Sequence, residues 1–347
     1  MRLTADDRLH AIAENRLLSR WAQLLPRPAG APHGVHEADA ELVPLGAGGT
    51  LALTIDTVSE EIEQGLYQTP HTSGWVAAVA SLSDLAAVGA DPLGLLLSVT
   101  LPGADTQTVQ EDVARGVSAV CSEAGTHVLG GDTSIGPRLT VATVGVGLIP
   151  ESAAPLRRTG MQPGDWLFAS GRLGLGGALA AARWLSPAAS APACTEEDYR
   201  PRVTLPVGRA LRGIASACMD TSDGLVATLD QLARLNGLAL RVERPLSELL
   251  CPEARRVSTA LGLPPFALLA GLHGEFELVF SVPEKGLPAL RRAGLLPVVL
   301  GRAVEGRGLL VGSRPVDGAR VRNLLDEAGG DVTAYARGLV ALDPERA

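Results

Sequence analysis

The chain of 347 residues has a formal net charge of −8, 46% hydrophobic residues and 3% aromatic residues. This length predicts two domains with sizeable apolar cores. The acidic balance and the scarcity of rings argue against a nucleic-acid partner, because a polyanion would be repelled and bases would find few rings to stack on. No apolar run reaches about 18 residues, and the N-terminus lacks the pattern of a secretion signal. We therefore expect a cytoplasmic protein without a membrane partner, whose cysteines are reduced.

Lysine usage restricts the chemistry further. Lys285 is the one lysine in the chain, and it lies in a turn-like segment. The sequence contains no GxxxxGK[ST] loop and no strand lysine of the protein-kinase type. If the protein handles nucleotide phosphates, metal ions, arginine and backbone N–H groups must balance their charge. Acids that hold metal ions are therefore the residues to look for.

The first segments in chain order are a helix and a strand. Helical periodicity covers residues 4–24. A stretch rich in Gly, Pro and Ala then leads to Asp39. Residues 51–58 alternate well enough for a strand and carry Asp56 near its end. Residues 59–72 are polar and predict a loop.

A strongly apolar helix is predicted over residues 73–89, and Asp84 interrupts it. Ala80 and Val88 lie four residues to either side, so the carboxylate emerges from an otherwise apolar face. A buried unpaired carboxylate costs on the order of several kcal/mol and needs a partner or a metal ion. The alternative is an acid satisfied by Ser81 or by a neighbouring backbone group.

The remaining elements of the first half are strands at residues 95–101, 128–133 and 139–149 and a helix at residues 106–124. Gly130 and Gly131 predict a tight turn that permits close backbone approach to a ligand. Composition shifts at residues 150–155, where we place the domain boundary. The predicted domains are residues 1–150 and 151–347.

The second half contains strands at residues 165–169, 214–219 and 295–301, a glycine-rich segment at 171–177 that leads into a helix, and a helix at 225–235. The glycine-rich segment suggests a dinucleotide-binding fold, but it lacks a clean GxGxxG, and Pro187 interrupts the chain before a second βα unit. The composition of residues 186–200 predicts a loop, and we expect the last dozen residues to be poorly ordered.

The segment from Asp220 to Leu225 marks the change from a strand to a helix. Carboxylates at this point lie beside backbone N–H groups and the positive end of the helix dipole, so with a divalent cation they would hold a metal-bound phosphate. The alternative is simple helix capping by Ser222 or Asp223. Four further aspartates in apolar or glycine-rich settings favour the metal interpretation.

Several motifs taken together resemble the thiamine-monophosphate kinase family of the aminoimidazole-ribonucleotide-synthetase-like superfamily. The resemblance covers about residues 35–310 in unbroken order. The motifs are Asp39, Asp56-Thr57, the SDLAAVGADP block at 83–92, GGDT at 130–133, Arg158-Thr159-Gly160 with Pro163-Gly164-Asp165, and DTSDGL at 220–225.

The resemblance implies a two-domain α/β fold whose N-terminal domains pair into a β-barrel in a homodimer, with ATP in the cleft between domains. It implies transfer of the γ-phosphoryl group of ATP to thiamine monophosphate with the aid of Mg²⁺. The positions that match metal ligands are Asp39, Thr54, Asp56, Asp84, Asp132, Asp220 and Asp223. The positions that match nucleotide contacts are Gly131, Asp132, Arg158 and Ser222.

The chain departs from the family mainly on the acceptor side. Glu63 and Gln64 stand where the family has a substrate-contacting His and a Phe, and Gly274 replaces the first acid of a later block that here continues with Glu275. Glu63 and Glu275 are therefore the candidate substrate contacts. Ile55 replaces a threonine that helps to hold metal. Two alternatives remain open: a paralogue that phosphorylates another acceptor, such as a carbonyl or amide oxygen, and a nucleotide-binding module without activity.

Overall fold

The computed structural model describes residues 9–26, 33–103, 106–186 and 192–345. Two β-sheets organise these residues, one in each half of the chain, and helices pack on both. The α/β class expected from the sequence is confirmed.

The first unit is built on a five-stranded sheet. Its strands are β1 (Glu41–Pro44), β2 (Thr50–Thr57), β3 (Asp91–Pro102), β4 (Val128–Gly136) and β5 (Thr140–Ile149). The helices of this part of the chain are α1 (Ala13–Leu24), α2 (Ser59–Glu63), α3 (Pro70–Ala87) and α4 (Thr106–Ala124). The strand order is β1-β2-β5-β3-β4, and all neighbours are antiparallel except β3 and β4.

The second unit is built on a seven-stranded sheet. Its strands are β6 (Trp166–Ala169), β7 (Ala217–Asp220), β8 (Ala239–Val242), β9 (Leu278–Val282), β10 (Val298–Val304), β11 (Gly308–Val311) and β12 (Arg314–Val316). Its helices are α5 (Leu175–Leu185), α6 (Leu205–Leu211), α7 (Gly224–Asn236), α8 (Leu246–Leu249), α9 (Pro252–Leu261), α10 (Pro265–Leu269), α11 (Leu287–Arg292), α12 (Gly318–Glu327) and α13 (Val332–Ala341). The strand order is β12-β11-β8-β10-β6-β9-β7.

Helix α3 lies between the two units. It packs against β2, β3 and β5 of the first sheet and against β7 and β9 of the second, so it is buried nearly all round. Pro70 begins the helix, and the side chain of Thr69 accepts a hydrogen bond from the backbone N–H of Thr72 at 3.2 Å. Asp84 is therefore carried into the space between the sheets.

The first sheet has one face towards α3 and one exposed apolar face. Ala52 and Val141 are fully buried against the helices. On the other face, Ile55 is 72% exposed, and Leu96 is also exposed. Ile55 thus lies on the face opposite Asp56. The isoleucine that stands here in place of the family's threonine therefore does not contact Asp56 within one chain.

Helix α1 belongs to the predicted first domain, but its contacts are with the second unit. The Asn15 side chain donates to Gln231 Oε1 at 3.0 Å, and the Ala13 N–H donates to Asn323 Oδ1 at 2.9 Å. Arg322 and Glu14 lie 3.6 Å apart. These contacts join sequence positions more than 200 residues apart.

Three sequence-based expectations about local structure are wrong. Residues 59–72 contain α2 and the beginning of α3 instead of a continuous loop. Strand β4 continues through the predicted tight turn to Gly136, because it is held by parallel pairing with β3. The chain end includes α13, which buries Tyr335. Residues 4–8 of the predicted first helix and 187–191 of the predicted loop lie outside the described residues.

Two further findings concern membranes and thiols. Within the part of the chain that the structure describes, no helix combines the length and the apolar character needed to cross a bilayer. All four cysteines are buried free thiols, so the prediction of reduced cysteines agrees with the fold.

Helices α3 and α4 pack closely because Gly116 of α4 has no side chain where it meets the backbone of α3. A Cβ at Gly116 would lie 2.2 Å from the carbonyl oxygen of His71. We therefore expect Gly116→Ala to lower the free energy of unfolding by about 1–3 kcal/mol, because the helices must separate. The exposed Ser118→Ala is the control, since alanine in an exposed helix position is neutral or slightly stabilising. Urea unfolding measures both, and a stabilised Gly116→Ala variant would contradict the close contact.

Candidate active site

Three carboxylates from three separate segments converge where the two units meet. Asp39 lies in the loop before β1, Asp84 lies near the end of α3, and Asp220 is the last residue of β7. One oxygen atom of each carboxylate lies within 4.8 Å of one from each of the others. The sequence predicts all three as metal ligands, and the structure brings them together.

Hydroxyl groups orient two of these carboxylates. Thr54 Oγ1 donates a hydrogen bond to Asp84. Ser83 Oγ donates to Asp220 Oδ2 at 2.6 Å, and Ser222 Oγ donates to Asp220 Oδ1 at 3.1 Å. Thr54 was predicted to bind metal and Ser222 to contact the nucleotide, and both lie at the cluster as donors to carboxylates.

Arg158 forms an ion pair with Asp39 at the same place. Its Nη2 lies 2.9 Å from Asp39 Oδ1, and the Asp39 side chain is fully buried. Burial lowers the pKa of Arg158, but the adjacent Asp39 carboxylate, with help from Asp84 and Asp220, raises it overall. Arg158 therefore stays charged and balances one carboxylate. The structure places this predicted nucleotide contact on the predicted metal ligand Asp39.

The cluster carries more negative charge than Arg158 balances. Burial, followed by repulsion from Asp56, Asp220 and Asp39, raises the pKa of Asp84 well above its usual range. Burial and the neighbouring Asp39 raise the pKa of Asp220 to about 7. Burial raises the pKa of Asp56 to about 6. The cluster therefore retains protons near neutral pH, and a divalent cation would compete with them.

The donor set fits Mg²⁺. Mg²⁺ prefers oxygen ligands and is usually held by one or two carboxylates together with phosphate oxygens. Asp39 Oδ2 is buried and has no hydrogen-bond partner among the described residues. Because a buried unpaired charged acceptor is costly, this oxygen favours a cation as its missing partner.

Asp56 extends the cluster along β2. Ser81 Oγ lies 3.1 Å from Asp56 Oδ2 as its donor and 2.7 Å from Thr143 Oγ1. The alternative in which Ser81 satisfies Asp84 is wrong, because Thr54 donates to Asp84 instead. Ser81 is therefore a donor to Asp56 but not to Asp84, and Thr54 interacts with both carboxylates.

A cleft of about 560 Å³ opens beside Asp223. Asp223 occupies the N-cap position of α7, but its side chain makes no capping hydrogen bond, so the capping alternative is wrong for this residue. Burial raises the pKa of Glu61 to about 7 and lowers the pKa of His273, which also lines the cleft, to about 4. His273 is therefore neutral. The cleft is rich in acids and contains one buried cation, Arg322.

Sequence reasoning missed Arg322 as a cleft residue. Its side chain is 6% exposed, and its Nη1 donates to Gln231 Oε1 at 2.6 Å. Arg322 comes from α12, far along the chain from the other motifs, and no local pattern distinguishes it from a surface arginine. Glu61 was assigned to a loop, but it lies half-buried in helix α2, which the polar sequence does not indicate.

Asp132 and Gly131 are not brought to the three carboxylates. Gly131 pairs in register with Leu97, on the face of the sheet that α3 covers, and Asp132 pairs with the exposed Ser98. Because side chains alternate along a strand, Asp132 lies on the face opposite Asp56. A Cβ at Gly131 would lie 1.9 Å from the carbonyl oxygen of Leu97. The close approach of β3 therefore accounts for the glycine at this position, and no ligand is needed to explain it.

The two candidate substrate contacts have other partners. Glu63 is exposed and forms an ion pair with Arg138 at 2.6 Å. Glu275 is buried, and its carboxylate accepts hydrogen bonds from the N–H groups of Gly174 and Leu175 at 2.7 and 3.1 Å. It therefore satisfies the free N–H groups at the beginning of α5. The prediction that these residues contact a substrate has no support in this geometry.

Comparison with known proteins gives matches over most of the chain. Family models match at residues 37–149, the AIR synthase related protein N-terminal domain, and at residues 162–334, the AIR synthase related protein C-terminal domain. The thiamine-monophosphate kinase of Halobacterium salinarum is 34% identical over 254 residues, which are 72% of this chain and 83% of the relative.

Solved structures match the fold. The thiamine monophosphate kinase from Aquifex aeolicus is 27% identical, with a TM-score of 0.66 over 77% of this chain and 88% of that chain. AaThiL complexed with AMPPCP and TMP is 24% identical, with a TM-score of 0.73 over 91% of this chain and 97% of that chain. The second likeness shows the fold alone.

From the repulsion in the carboxylate cluster we expect Asp84→Asn to stabilise the protein without metal and to remove its stabilisation by Mg²⁺. A carboxylate whose folded pKa is raised loses stability as pH rises, because the folded state holds protons that the unfolded state has released. In EDTA at pH 8 we expect the variant to melt about 2–4 °C above the wild type, with a smaller difference at pH 5.

Added Mg²⁺ should raise the melting temperature of the wild type and leave that of Asp84→Asn nearly unchanged. Asp112→Asn on the surface of α4 is the control, since a surface ion pair contributes little. Equal melting temperatures of the wild type and Asp84→Asn under all of these conditions would contradict the repulsion described above.

Proposed function

The chain belongs to the AIR synthase related protein family, where its relatives are thiamine-monophosphate kinases, and from this premise we propose that it uses Mg²⁺ and ATP to phosphorylate thiamine monophosphate. The enzyme transfers the γ-phosphoryl group of ATP to the phosphate of thiamine monophosphate, and the products are thiamine diphosphate and ADP. The observation that carries the proposal is the convergence of Asp39, Asp84 and Asp220.

The residues of the cluster have distinct roles in this proposal. When bound, Mg²⁺ neutralises the phosphates that meet in the reaction and orients their oxygens. Asp39, Asp84 and Asp220 would hold the metal, and Asp56, whose charge raises the pKa of Asp84, is a further candidate. Thr54 and Ser83 keep the carboxylates in position, and Arg158 limits the repulsion among them. The chain thereby manages without the lysine that other kinases use.

We place ATP between the two units and the acceptor in the acidic cleft. The structure of AaThiL complexed with AMPPCP and TMP supports a site for both molecules in this fold. Thiamine carries a positively charged ring, which suits a cleft lined by Glu60, Glu61 and Asp223. Ser222 stays a proposed nucleotide contact. Gly131 and Asp132 match nucleotide contacts of the family, but Asp132 lies on the face of its sheet opposite Asp56, so we do not place it at the ATP between the two units of its own chain.

The proposal predicts metal-dependent formation of thiamine diphosphate. Purified protein with ATP, Mg²⁺ and thiamine monophosphate should form it, and Asp220→Asn should reduce kcat by about 10³-fold or more, because metal and phosphate lose a ligand. Asp112→Asn should keep the activity of the wild type. The assay is chromatographic detection of thiamine diphosphate.

Two other outcomes would overturn this assignment. ADP release with a different acceptor, and none with thiamine monophosphate, would identify a paralogue with another substrate. Calorimetric binding of Mg²⁺ and an ATP analogue without any turnover would identify a nucleotide-binding module. The paralogue alternative is favoured by Glu63 and Gly274, which differ from the family's motifs on the acceptor side.

We also propose a cytoplasmic homodimer that forms through the exposed apolar face of the first sheet. Ile55 and Leu96 are exposed on this face, and large exposed apolar patches mark interaction surfaces. In this proposal the unit up to residue 150 pairs with its copy, and the unit from residue 151 completes the active-site cleft of its own chain.

The homodimer proposal predicts that Ile55→Glu gives a monomer. A charge in the middle of an apolar interface would remain unpaired and desolvated, which costs about 3–5 kcal/mol. Leu296→Glu is the matched control, because Leu296 is 95% exposed in the second unit. Sedimentation velocity should show a dimer for the wild type and the control. A monomeric wild type, or a dimeric Ile55→Glu variant, would contradict the proposed interface.

A further inference from the structure

A second concave site lies in the second unit, away from the carboxylate cluster. It has a volume of about 440 Å³, in the size range of small-molecule sites. Leu249, Val298 and Val299 form apolar walls, and three arginines, Arg172, Arg244 and Arg255, line the remainder. The site therefore combines an apolar surface with a cationic one.

The arginines of this site are incompletely compensated. Arg244 Nη1 lies 3.2 Å from a carboxylate oxygen of Glu248. Arg172 and Arg255 both donate instead to the backbone carbonyl oxygen of Glu248, with Arg255 Nη2 at 3.4 Å. Among the described residues, no carboxylate forms an ion pair with Arg172 or Arg255. Three guanidinium groups thus face one carboxylate, in a chain whose formal net charge is −8.

This arrangement of arginines favours an anionic ligand. Two guanidinium groups that approach one neutral carbonyl oxygen repel each other, and an anion between them would remove that repulsion. Guanidinium groups present a planar fork that matches the oxygens of phosphate. Their convergence beside an apolar wall therefore favours a ligand that carries both a phosphate and an apolar group.

The site is separate from the candidate active site. Val298 begins β10, and Asp220 ends β7, with β6 and β9 between these two strands in the sheet. Three strand spacings correspond to roughly 14 Å. None of the three arginines lies on an element that carries a carboxylate of the cluster. The cleft is therefore built from other elements than the carboxylate cluster.

We propose that the cleft formed by Arg172, Arg244, Arg255 and the apolar wall at Leu249 and Val298 binds a small organic phosphate. The phosphate lies against Arg172 and Arg255, and the apolar part of the ligand lies against the wall. The proposal does not depend on the kinase activity, because its ligand binds without a metal ion.

Calorimetry with the full-length protein in EDTA at low ionic strength tests the proposal. Without a divalent cation the aspartate cluster repels anions, so binding under these conditions reports on the arginine cleft. Phenyl phosphate should bind with one molecule per chain, and inorganic phosphate should bind at least about tenfold more weakly, because it has no ring to bury against the wall. Equal affinities would overturn the assigned role of the apolar wall.

Variants locate the binding. The double variant Arg172→Gln with Arg255→Gln should bind phenyl phosphate at least about tenfold more weakly. Arg256→Gln is the matched control, since Arg256 lies on the same helix as Arg255 but pairs with Asp198 and Glu253 and does not line the cleft. Unchanged affinity in the double variant, or equal loss in the control, would overturn the proposal.

Hydrogen exchange on the wild type covers the case in which the double variant does not fold. Phenyl phosphate in EDTA should slow exchange in the backbone of residues 244–255 and 298–299. Protection confined to other segments, or no binding of phenyl phosphate at all, would overturn the proposal.

Discussion

Repulsion among buried carboxylates is the constraint on which the functional part of this protein depends. Asp39, Asp84 and Asp220 come from positions far apart in the sequence, and folding brings their oxygens within 4.8 Å of one another. Arg158 balances part of this charge, and the raised pKa values of Asp84 and Asp220 show that the remainder is held at a cost. A site of this kind lowers stability, and a bound cation would offset that cost.

The same constraint explains why the two units must dock. Asp84 lies on α3, which packs between the sheets, Asp220 ends a strand of the second sheet, and Asp39 lies in the loop before the first. No single unit contains all three carboxylates. Helix α1 adds a second connection, because Asn15 binds Gln231 across the units. Assembly of the carboxylate cluster is therefore inseparable from the packing of the two halves of the chain.

The sequence predicted the parts of this arrangement that leave a local signal. The apolar helix interrupted by Asp84 and the strand that ends at Asp220 are contiguous patterns, and their motifs resembled those of a known family. Asp132 belonged to the same motifs, but the register of β4 turns it to the exposed face of the sheet. A shift of one residue in a strand changes the face of every side chain, and such a register is invisible in a single sequence.

Long-range partners also escaped prediction. The match of Glu275 to an acceptor-side motif gave no sign that it would hydrogen-bond to the beginning of α5, about 100 residues earlier. Arg322 reaches its cleft through the packing of α12 on α7. The acceptor side, where the motifs depart from the family, is also where tertiary contacts assign residues to roles that spacing along the chain does not reveal.

Diffraction with Mn²⁺ in place of Mg²⁺ tests the central claim most directly, because the anomalous signal of manganese locates the ion without reference to activity. Crystals of the protein with Mn²⁺ and an ATP analogue should show manganese within coordination distance of the carboxylates of Asp39, Asp84 and Asp220. Manganese bound only elsewhere, or a cluster that stays without metal while the analogue is bound, would contradict the account.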